Sequence, residues 1–250
     1  MSERFFRALA RDAARRYPAH DRFARHFAFG KLCADPVFQH FLTHGLIHTG
    51  ARVLDLGSGQ GLLSSLLIAA RARHASGDWP ELWPTPPTPG SMRGIDLMQK
   101  DVDRAREAAD ATAHFVCGDI CDADFGVVDA IVILDVLHYI DYAAQQKVLE
   151  RARESLATGG VLIVRVGDQS ASMRFRITVA VDRAVTRLRG HRVTRLYCKP
   201  VATWKHELER LGFKVQATTM STGTPFANTL LVAHLAQAQQ CDVTHMALSA

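Results

Sequence analysis

A short apolar strand runs into three alternating glycines in the stretch Val53-Leu54-Asp55-Leu56-Gly57-Ser58-Gly59-Gln60-Gly61. A helix-forming run, residues 62–73, follows directly. Glycines leave the backbone N–H groups at a helix N-terminus open to a polar ligand. The dinucleotide-binding fingerprint requires Gly-x-Gly-x-x-Gly, whereas the third glycine here comes one residue early. The stretch therefore predicts a ligand-binding strand–turn–helix unit and disfavours an NAD-linked oxidoreductase.

Strands and helices alternate on the carboxyl side of this stretch. Further strands are predicted at 93–97, 114–117, 130–134 and 161–166, with helices at 100–109, 143–156 and 201–211. This succession implies a parallel sheet with right-handed crossovers. The last two strands, 213–219 and 228–234, are separated by a Gly/Pro turn and could form an antiparallel pair. Residues 73–91 contain five prolines and are predicted to be a loop insertion.

An acid two residues before the first glycine completes the pattern Asp-x-Gly-x-Gly-x-Gly. In this pattern the chain resembles class I S-adenosylmethionine (SAM)-dependent methyltransferases over about residues 50–236. The resemblance implies an α/β, Rossmann-like fold with a seven-stranded sheet, mostly parallel with an antiparallel C-terminal strand, and helices on both faces. It implies SAM as the cofactor. It also implies that the cofactor is bound at the turn by Asp55, Gly57, Ser58, Gly59 and Gly61.

The second strand ends at Asp96, 35 residues after Gly61. This is later than the ~20-residue offset of the ribose-binding acid in dinucleotide folds, and the Pro-rich insertion accounts for the excess. A carboxylate here can accept both ribose hydroxyls. The alternative interpretation is a helix N-cap.

The resemblance assigns roles to residues after the third and fourth strands. Asp119 is expected to take the adenine amino group, with Ile120 and Leu97 packing on the two faces of the ring; an ordinary turn acid is the alternative for Asp119. Asp135 ends the fourth strand and is expected to border the methionine end of SAM.

His138 lies just beyond the carboxyl end of the fourth strand, where open α/β sheets bind ligands. A neutral imidazole could take the proton from a substrate hydroxyl as the oxygen attacks the SAM methyl group. His138 is therefore the candidate catalytic base. The alternatives are a structural histidine that bonds a loop carbonyl, and a mechanism by positioning alone. The Asn-Pro-Pro-Tyr type of motif used by amino-group methylators is absent.

The domain organisation follows from these patterns. Residues 1–50 are predicted to form an N-terminal helical cap, with helices at 4–17, from Asp21 to Phe29 with Gly30 as C-cap, and from Asp35 to before Gly45. Residues 51–236 form the SAM-binding domain. Residues 167–200 are an inserted cap that contains a basic helix at 172–189, and residues 237–250 are a tail.

The formal charge of +5 is unevenly placed. Residues 1–31 carry +5 and residues 174–199 carry +7, so the rest of the chain carries −7. Both basic segments combine arginines with an apolar stripe, which suits an acyl carrier protein, an anionic membrane surface or an anionic substrate. A solvated surface helix is the alternative for 174–189. Aromatic residues for base stacking are not interleaved with its arginines, which argues against nucleic acid.

Several features bound the function further. The five cysteines are scattered without a Cys-x-x-Cys pair, which fits a reducing cytoplasm and argues against a zinc site. No acid or cysteine completes a metal site with His40, His44 and His48, so we interpret these as a polar helix face. Lys31 is interpreted as solvated, with a contact to substrate or to the SAM carboxylate as the alternative. No apolar run reaches the ~20 residues of a membrane span, so a cytoplasmic protein, with peripheral membrane attachment as the alternative, is expected.

These observations predict a SAM-dependent methyltransferase of a small hydrophobic, anionic or carrier-bound substrate, with oxygen as the favoured acceptor atom. The chain resembles methyltransferases of bacterial pigment and polyketide pathways. The alternatives are an RNA or protein methyltransferase and a catalytically silent SAM-binding domain.

Overall fold

A computed structural model describes residues 2–167, 196–220 and 228–235 of the chain. Three helices precede the sheet: α1 (Ser2–Arg15), α2 (Arg22–Ala34) and α3 (Pro36–Thr43). The elements that follow are β1 (Arg52–Leu56), α4 (Leu62–Ala75), β2 (Ser91–Asp96), α5 (Gln99–Ala108), β3 (Ala113–Cys117), β4 (Val128–Leu134), a 3₁₀ turn (Leu137–Tyr139), α6 (Tyr142–Ser155), β5 (Leu156–Gly167), α7 (Val201–Arg210), β6 (Phe213–Thr219) and β7 (Asn228–Leu235).

The seven strands form one sheet in the order β3-β2-β1-β4-β5-β7-β6. Strands β1 to β5 are parallel, and β7 runs antiparallel to both β5 and β6. This arrangement confirms the predicted mostly parallel sheet with an antiparallel C-terminal strand. The order of the strands reverses at β1 and β4, so the glycine turn after β1 and the polar residues after β4 meet at the topological switch point, where sheets of this kind bind ligands.

Helices cover both faces of the sheet. Alternate residues of β4 enter two separate core clusters: Ala130 and Val132 pack on the side of α1 to α5, and Ile131 and Ile133 pack on the side of α6 and α7. All four side chains are completely buried. This two-sided burial explains why β4 is nearly all apolar instead of alternating.

The N-terminal helices belong to the first of these clusters. The predicted apolar stripe of α1 is buried, as is Tyr17 just beyond the helix. Helix α2 differs from the prediction, because it continues through Gly30 to Ala34 and ends at Asp35. The proposed C-cap at Gly30 was therefore wrong. The buried face of α2 extends to Leu32, and this packing outweighs the ~1 kcal/mol helix penalty of a glycine.

The Pro-rich insertion is a loop, as predicted, between α4 and β2. Its two tryptophans, Trp79 and Trp83, pack edge-on against Phe5 of α1, with ring centroids 5.6 and 5.5 Å away. The loop therefore fastens α1 to the domain.

Some of the predicted segments lie outside the described residues. These are the basic helix at 172–189 and most of the inserted cap, together with the tail from residue 237. Within the described parts of the chain, no helix is long and apolar enough to cross a membrane.

Candidate active site

The glycine turn is fastened to the end of the neighbouring strand. Gly57 N and Ser58 N both donate to the carbonyl of Ile95 in β2, at 2.7 and 3.1 Å. The turn after β1 therefore lies directly beside Asp96, the last residue of β2.

Two glycines of the turn serve different needs. At Gly57, with φ of +75°, an added Cβ would lie 2.1 Å from Cγ2 of Val136, so only glycine fits. At Gly59, with φ of +53°, an added Cβ would meet no atom within 4 Å. The turn is thus closed against the β4 side and open at its crest, which leaves room for a ligand to approach the backbone.

Asp96 connects the turn to the start of α5. Its Oδ2 accepts from Gly59 N at 2.7 Å, and its Oδ1 accepts from Met98 N at 2.9 Å. The N-cap interpretation of Asp96 was wrong, because the N-cap of α5 is Met98, and Asp96 instead holds the segment before the helix. Each carboxylate oxygen has two lone pairs, so a carboxylate can accept several hydrogen bonds at once.

The residues predicted for adenine lie at the ends of β2 and β3. The side chain of Leu97 is 58% exposed, whereas that of Ile120 is packed in the second core cluster. The side chain of Asp119 accepts a hydrogen bond from Cys121 N at 2.8 Å. This bond is typical of an acid in a turn, which was the alternative interpretation of Asp119. Of the two apolar residues, Leu97 offers the larger open surface to a ring.

Asp55 is buried in the middle of the sheet, beneath the turn. Burial raises the pKa of its carboxyl group to about 7, and the negative charge of Asp96 contributes to the rise. Close to neutral pH, the carboxyl group of Asp55 is therefore present in both its protonated and its ionised form, whereas an ordinary aspartate is fully ionised.

The raised pKa of Asp55 predicts a stability that falls as pH rises. Between pH ~4 and ~7 the unfolded chain has ionised this group while the folded chain still binds the proton, which favours unfolding. Asp55→Asn cannot ionise, and the gain exceeds the cost of its buried amide by about 1–2 kcal/mol. Its melting temperature at pH 8 should therefore exceed that of the wild type by roughly 2–8 °C, with the difference shrinking toward pH 4. The exposed control Asp122→Asn should show no such trend; a difference for Asp55→Asn that does not depend on pH would contradict the assignment.

Asp135, at the end of β4, belongs to a group of four charges, which we call the ionic quartet: the buried Asp35 and Arg165 and the partly exposed Lys31 and Asp135. Nε of Arg165 donates to Oδ1 of Asp135 at 2.8 Å, and a second guanidinium nitrogen bonds Oδ2. Nη1 of Arg165 also bonds Asp35 at 2.5 Å. Asp135 has a φ of +58°, an uncommon conformation for a residue other than glycine. The quartet therefore joins α2 and α3 to the carboxyl ends of β4 and β5.

Lys31 completes the quartet: its side chain is 38% exposed, as the solvated interpretation expected, but it is also ion-paired. Its Nζ lies 2.8 Å from Asp35 Oδ2 and 3.9 Å from Asp135 Oδ2. Burial alone would raise the pKa of Asp35, but Arg165 and Lys31 hold it at about 2. The two acids and two bases balance, so the quartet has no net charge.

His138 lies in the 3₁₀ turn after β4 and lines a small recess together with Arg165 and Trp204. The segment 196–200 crosses this turn, and Tyr197 N donates to the carbonyl of His138 at 2.9 Å. Burial lowers the pKa of His138, against the opposing effect of the charge of Asp135. The imidazole is therefore neutral at pH 7, the state that a proton acceptor needs.

His40 lies in α3, and His44 caps the carboxyl end of that helix. The rings of His40 and His44 stack at 3.6 Å, and burial lowers the pKa of His40 to about 4. In the parts of the chain that the structure describes, no group of three His, Cys, Asp or Glu side chains could hold a metal ion.

The comparisons with known proteins agree with this geometry. The family model of the methyltransferase domain matches residues 22–218. A carboxy-S-adenosyl-L-methionine synthase of Chromohalobacter salexigens is 31% identical over 120 residues, which span 46% of this chain but only 39% of that protein. Magnesium protoporphyrin IX methyltransferase from Synechocystis PCC 6803, solved with bound S-adenosylhomocysteine (SAH), shares the fold with a TM-score of 0.57 at 18% identity, over 94% of this chain and 98% of that one. An O-methyltransferase family protein from Burkholderia thailandensis has a TM-score of 0.57 at 18% identity, over 88% and 62% of the two chains.

Three observations lead to one assignment: the strand order, the glycine turn with its flanking acids, and a family model that covers most of the chain. The chain belongs to the methyltransferase-domain family, the class I SAM-dependent methyltransferases.

Proposed function

We propose that the chain binds SAM across the carboxyl ends of β1, β2 and β4 and transfers its methyl group to an oxygen of a small, hydrophobic, anionic substrate. The observation that carries the substrate class is an aromatic and basic stripe on α2, made of Phe23, Phe27 and Lys31.

The residues of the site fit SAM. The open crest at Gly59 gives backbone room to the cofactor, Asp96 supplies carboxylate oxygens for the ribose, and Leu97 supplies apolar surface for the adenine. SAM bound here supplies an electrophilic methyl group on a positively charged sulfur. The residues Asp55, Gly57, Ser58, Gly61, Asp119, Ile120 and Asp135 complete the proposed cofactor site.

The α2 stripe borders this cleft. The rings of Phe23 and Phe27 are stacked, with centroids 6.0 Å apart and planes 11° from parallel, and Phe23 is 59% exposed. Gln60 of the glycine turn donates to the carbonyl of Ala24, so the stripe runs beside the turn. At its other end, Lys31 lies 3.9 Å from Asp135. Exposed aromatic surface beside a site is typical of contacts to a planar apolar ligand, and the Lys31 ammonium offers a donor to an acidic one.

The protein's contribution to the reaction is positioning and proton transfer. Methyl transfer requires the acceptor oxygen, the methyl carbon and the sulfur to lie in line. The turn and the α2 stripe hold the two reactants on one side of the sheet, and His138 receives the proton that the acceptor hydroxyl gives up as its oxygen forms the new bond. SAM held at this site would supply both the methyl group and a neutral leaving group, which keeps the electron pair of the carbon–sulfur bond.

Carrier-bound substrates and anionic membranes remain within this proposal. Their support is the charge of +5 on residues 1–31 and of +7 on residues 174–199. Most of the second segment lies outside the described residues, so its placement over the site stays a prediction.

The proposal predicts that SAM binding depends on Asp96. Loss of hydrogen bonds to a charged group costs about 1.5–3 kcal/mol, so Asp96→Ala should weaken the SAM Kd roughly 10–100-fold in calorimetry. The matched control Asp103→Ala removes an exposed acid from the adjacent helix α5 and should bind SAM normally. Stabilisation of the wild type by NADH and not by SAM would contradict the proposal.

The acceptor is tested by following SAH formation with flat acceptors. We expect turnover with the anionic 6-hydroxy-2-naphthoate, weaker turnover with the uncharged 2-naphthol, and a raised KM for both acceptors in Phe23→Ala. Methylation of 2-naphthylamine alone would refute oxygen as the acceptor atom. SAM binding without turnover of any of these compounds would refute the substrate class and favour the catalytically silent alternative.

A further inference from the structure

Tyr17 contacts the glycine turn that is proposed to bind the cofactor. It lies just after α1, is completely buried, and its hydroxyl donates to the carbonyl of Gln60 at 2.8 Å. Gln60 is the residue between the second and third glycines of the turn, 43 positions away in the sequence. The N-terminal helices therefore hold the backbone of the turn directly.

The hydroxyl is fixed in its role as a donor. Ser65 of α4 donates its own hydroxyl to Tyr17 at 3.2 Å, which leaves the phenol proton for Gln60. Burial raises the pKa of Tyr17 to about 12, so the proton is retained throughout the physiological range. Because a buried hydroxyl is costly unless it is hydrogen-bonded, a phenylalanine would fill the same space at lower cost if packing were the only requirement.

A second contact holds the same residue of the turn. The side chain of Gln60 is almost completely buried, and its Nε2 donates to the carbonyl of Ala24 in α2 at 3.0 Å. The carbonyl and the side chain of Gln60 are thus restrained by the segments on either side of Pro18. The peptide fixed in this way is the one that carries Gly61 N, which closes the turn by donating to Ser58 O at 2.9 Å.

These restraints act where the backbone is least restrained by itself. Glycine loses more conformational freedom on ordering than any other residue, and Gln60 has glycines on both sides. A turn that is already ordered in the free protein binds its ligand more tightly, because less entropy is lost on binding. The free energy that couples two events acts equally in both directions, so SAM must in turn stabilise the docking of the N-terminal helices.

We infer that Tyr17 is a positioning residue for the cofactor: its hydroxyl pre-orders the glycine turn and couples the docking of α1 and α2 to SAM binding. The inference rests on the proposed binding of SAM at this turn. Tyr17 acts through Gln60 and is not expected to touch SAM.

The test is the SAM affinity of Tyr17→Phe, measured by calorimetry below its melting temperature. We expect the Kd values of SAM and SAH to rise about three- to tenfold, the loss typical of one hydrogen bond. Gln60→Met, which keeps the length of the side chain and loses its donor, should weaken binding in the same direction. The matched control is Tyr142→Phe, which also removes a tyrosine hydroxyl from a backbone carbonyl, that of Cys198 at 3.2 Å, but far from the turn in sequence. It should bind SAM as the wild type does.

Hydrogen exchange distinguishes a positioning role from a purely structural one, because only the former changes how strongly SAM protects the amides of α1 and α2. In the wild type, SAM should slow exchange of the amides of α1 and α2, and in Tyr17→Phe this protection should fall severalfold. A lowered melting temperature with an unchanged Kd and unchanged SAM-dependent protection would make Tyr17 a packing residue only and overturn the inference. Failure of the wild type to bind SAM would instead refute the proposed function, so the two failures are distinguishable.

Discussion

Replacement of Arg165 by methionine is expected to lower the melting temperature by roughly 6–20 °C, because removing one partner of a buried ion pair costs about 3–5 kcal/mol and each kcal/mol shifts the melt by ~2–4 °C in a domain of this size. Arg165 is 2% exposed and bonds both Asp35 and Asp135. Burial by itself lowers the pKa of this guanidinium, but the charges of Asp135 and Asp35 outweigh burial and raise it. Arg165 is therefore charged at every accessible pH, and methionine leaves the buried Asp35 and the partly exposed Asp135 with Lys31 alone.

The matched control is Arg52→Met. Arg52 also forms a two-pronged pair with an aspartate, Asp129, but this pair lies at the surface, where ion pairs contribute little to stability. The melt of Arg165→Met should also become more sensitive to pH, because the pKa of Asp35 is released from its value of about 2 and rises toward that of a buried acid. Equal melting shifts for the two variants would show that the quartet contributes no more than a surface pair.

Arg165 also shows what sequence reasoning missed and why. The turn from Asp55 to Gly61 could be predicted from the sequence because its three glycines all have a positive φ, which is a local backbone requirement, although Gly57 also meets the distant Val136. The signal for Arg165 was present too, as a single charge inside an apolar strand that is covered on both faces. Such a residue requires a buried partner, but the sequence does not tell which acid supplies it.

The partners of Arg165 and Tyr17 depend on the tertiary fold. Asp35 is 130 positions from Arg165, and Gln60 is 43 positions from Tyr17. No periodicity connects such residues, because the contacts exist only after the N-terminal helices have packed on the first core cluster. The error at Gly30 has the same origin: a local helix-stop signal was outweighed by packing that continues to Leu32.

His138→Ala is expected to lower kcat by roughly 10²–10⁴-fold, the usual contribution of general acid–base catalysis, if the acceptor is a hydroxyl that must lose its proton. The measurement is SAH formation with the best acceptor from the naphthol series, at saturating SAM. The SAM Kd should change less than twofold, since most residues proposed to hold the cofactor lie on the glycine turn and at the ends of β2 and β3, and Asp135, the one after β4, is held by Arg165. Because burial lowers the pKa of His138 below its ordinary 6.5, the wild-type rate should stay high to a more acidic pH than an exposed histidine would allow.

The response of His138→Ala turnover to added imidazole distinguishes a catalytic base from a structural histidine. Added imidazole should restore part of the rate of His138→Ala if the missing group is a base, because the small molecule can accept the same proton. The matched control is His114→Ala, which removes an exposed histidine from β3 and should leave turnover unchanged. A His138→Ala variant with normal turnover at pH 7 would show that the substrate ionises without help. Turnover that is lost but indifferent to imidazole, together with a lowered melting temperature, would return the buried His138 side chain to a structural role in the packing of the 3₁₀ turn. In the first of these cases, alignment of the reactants by the turn and the α2 stripe would be the source of the rate.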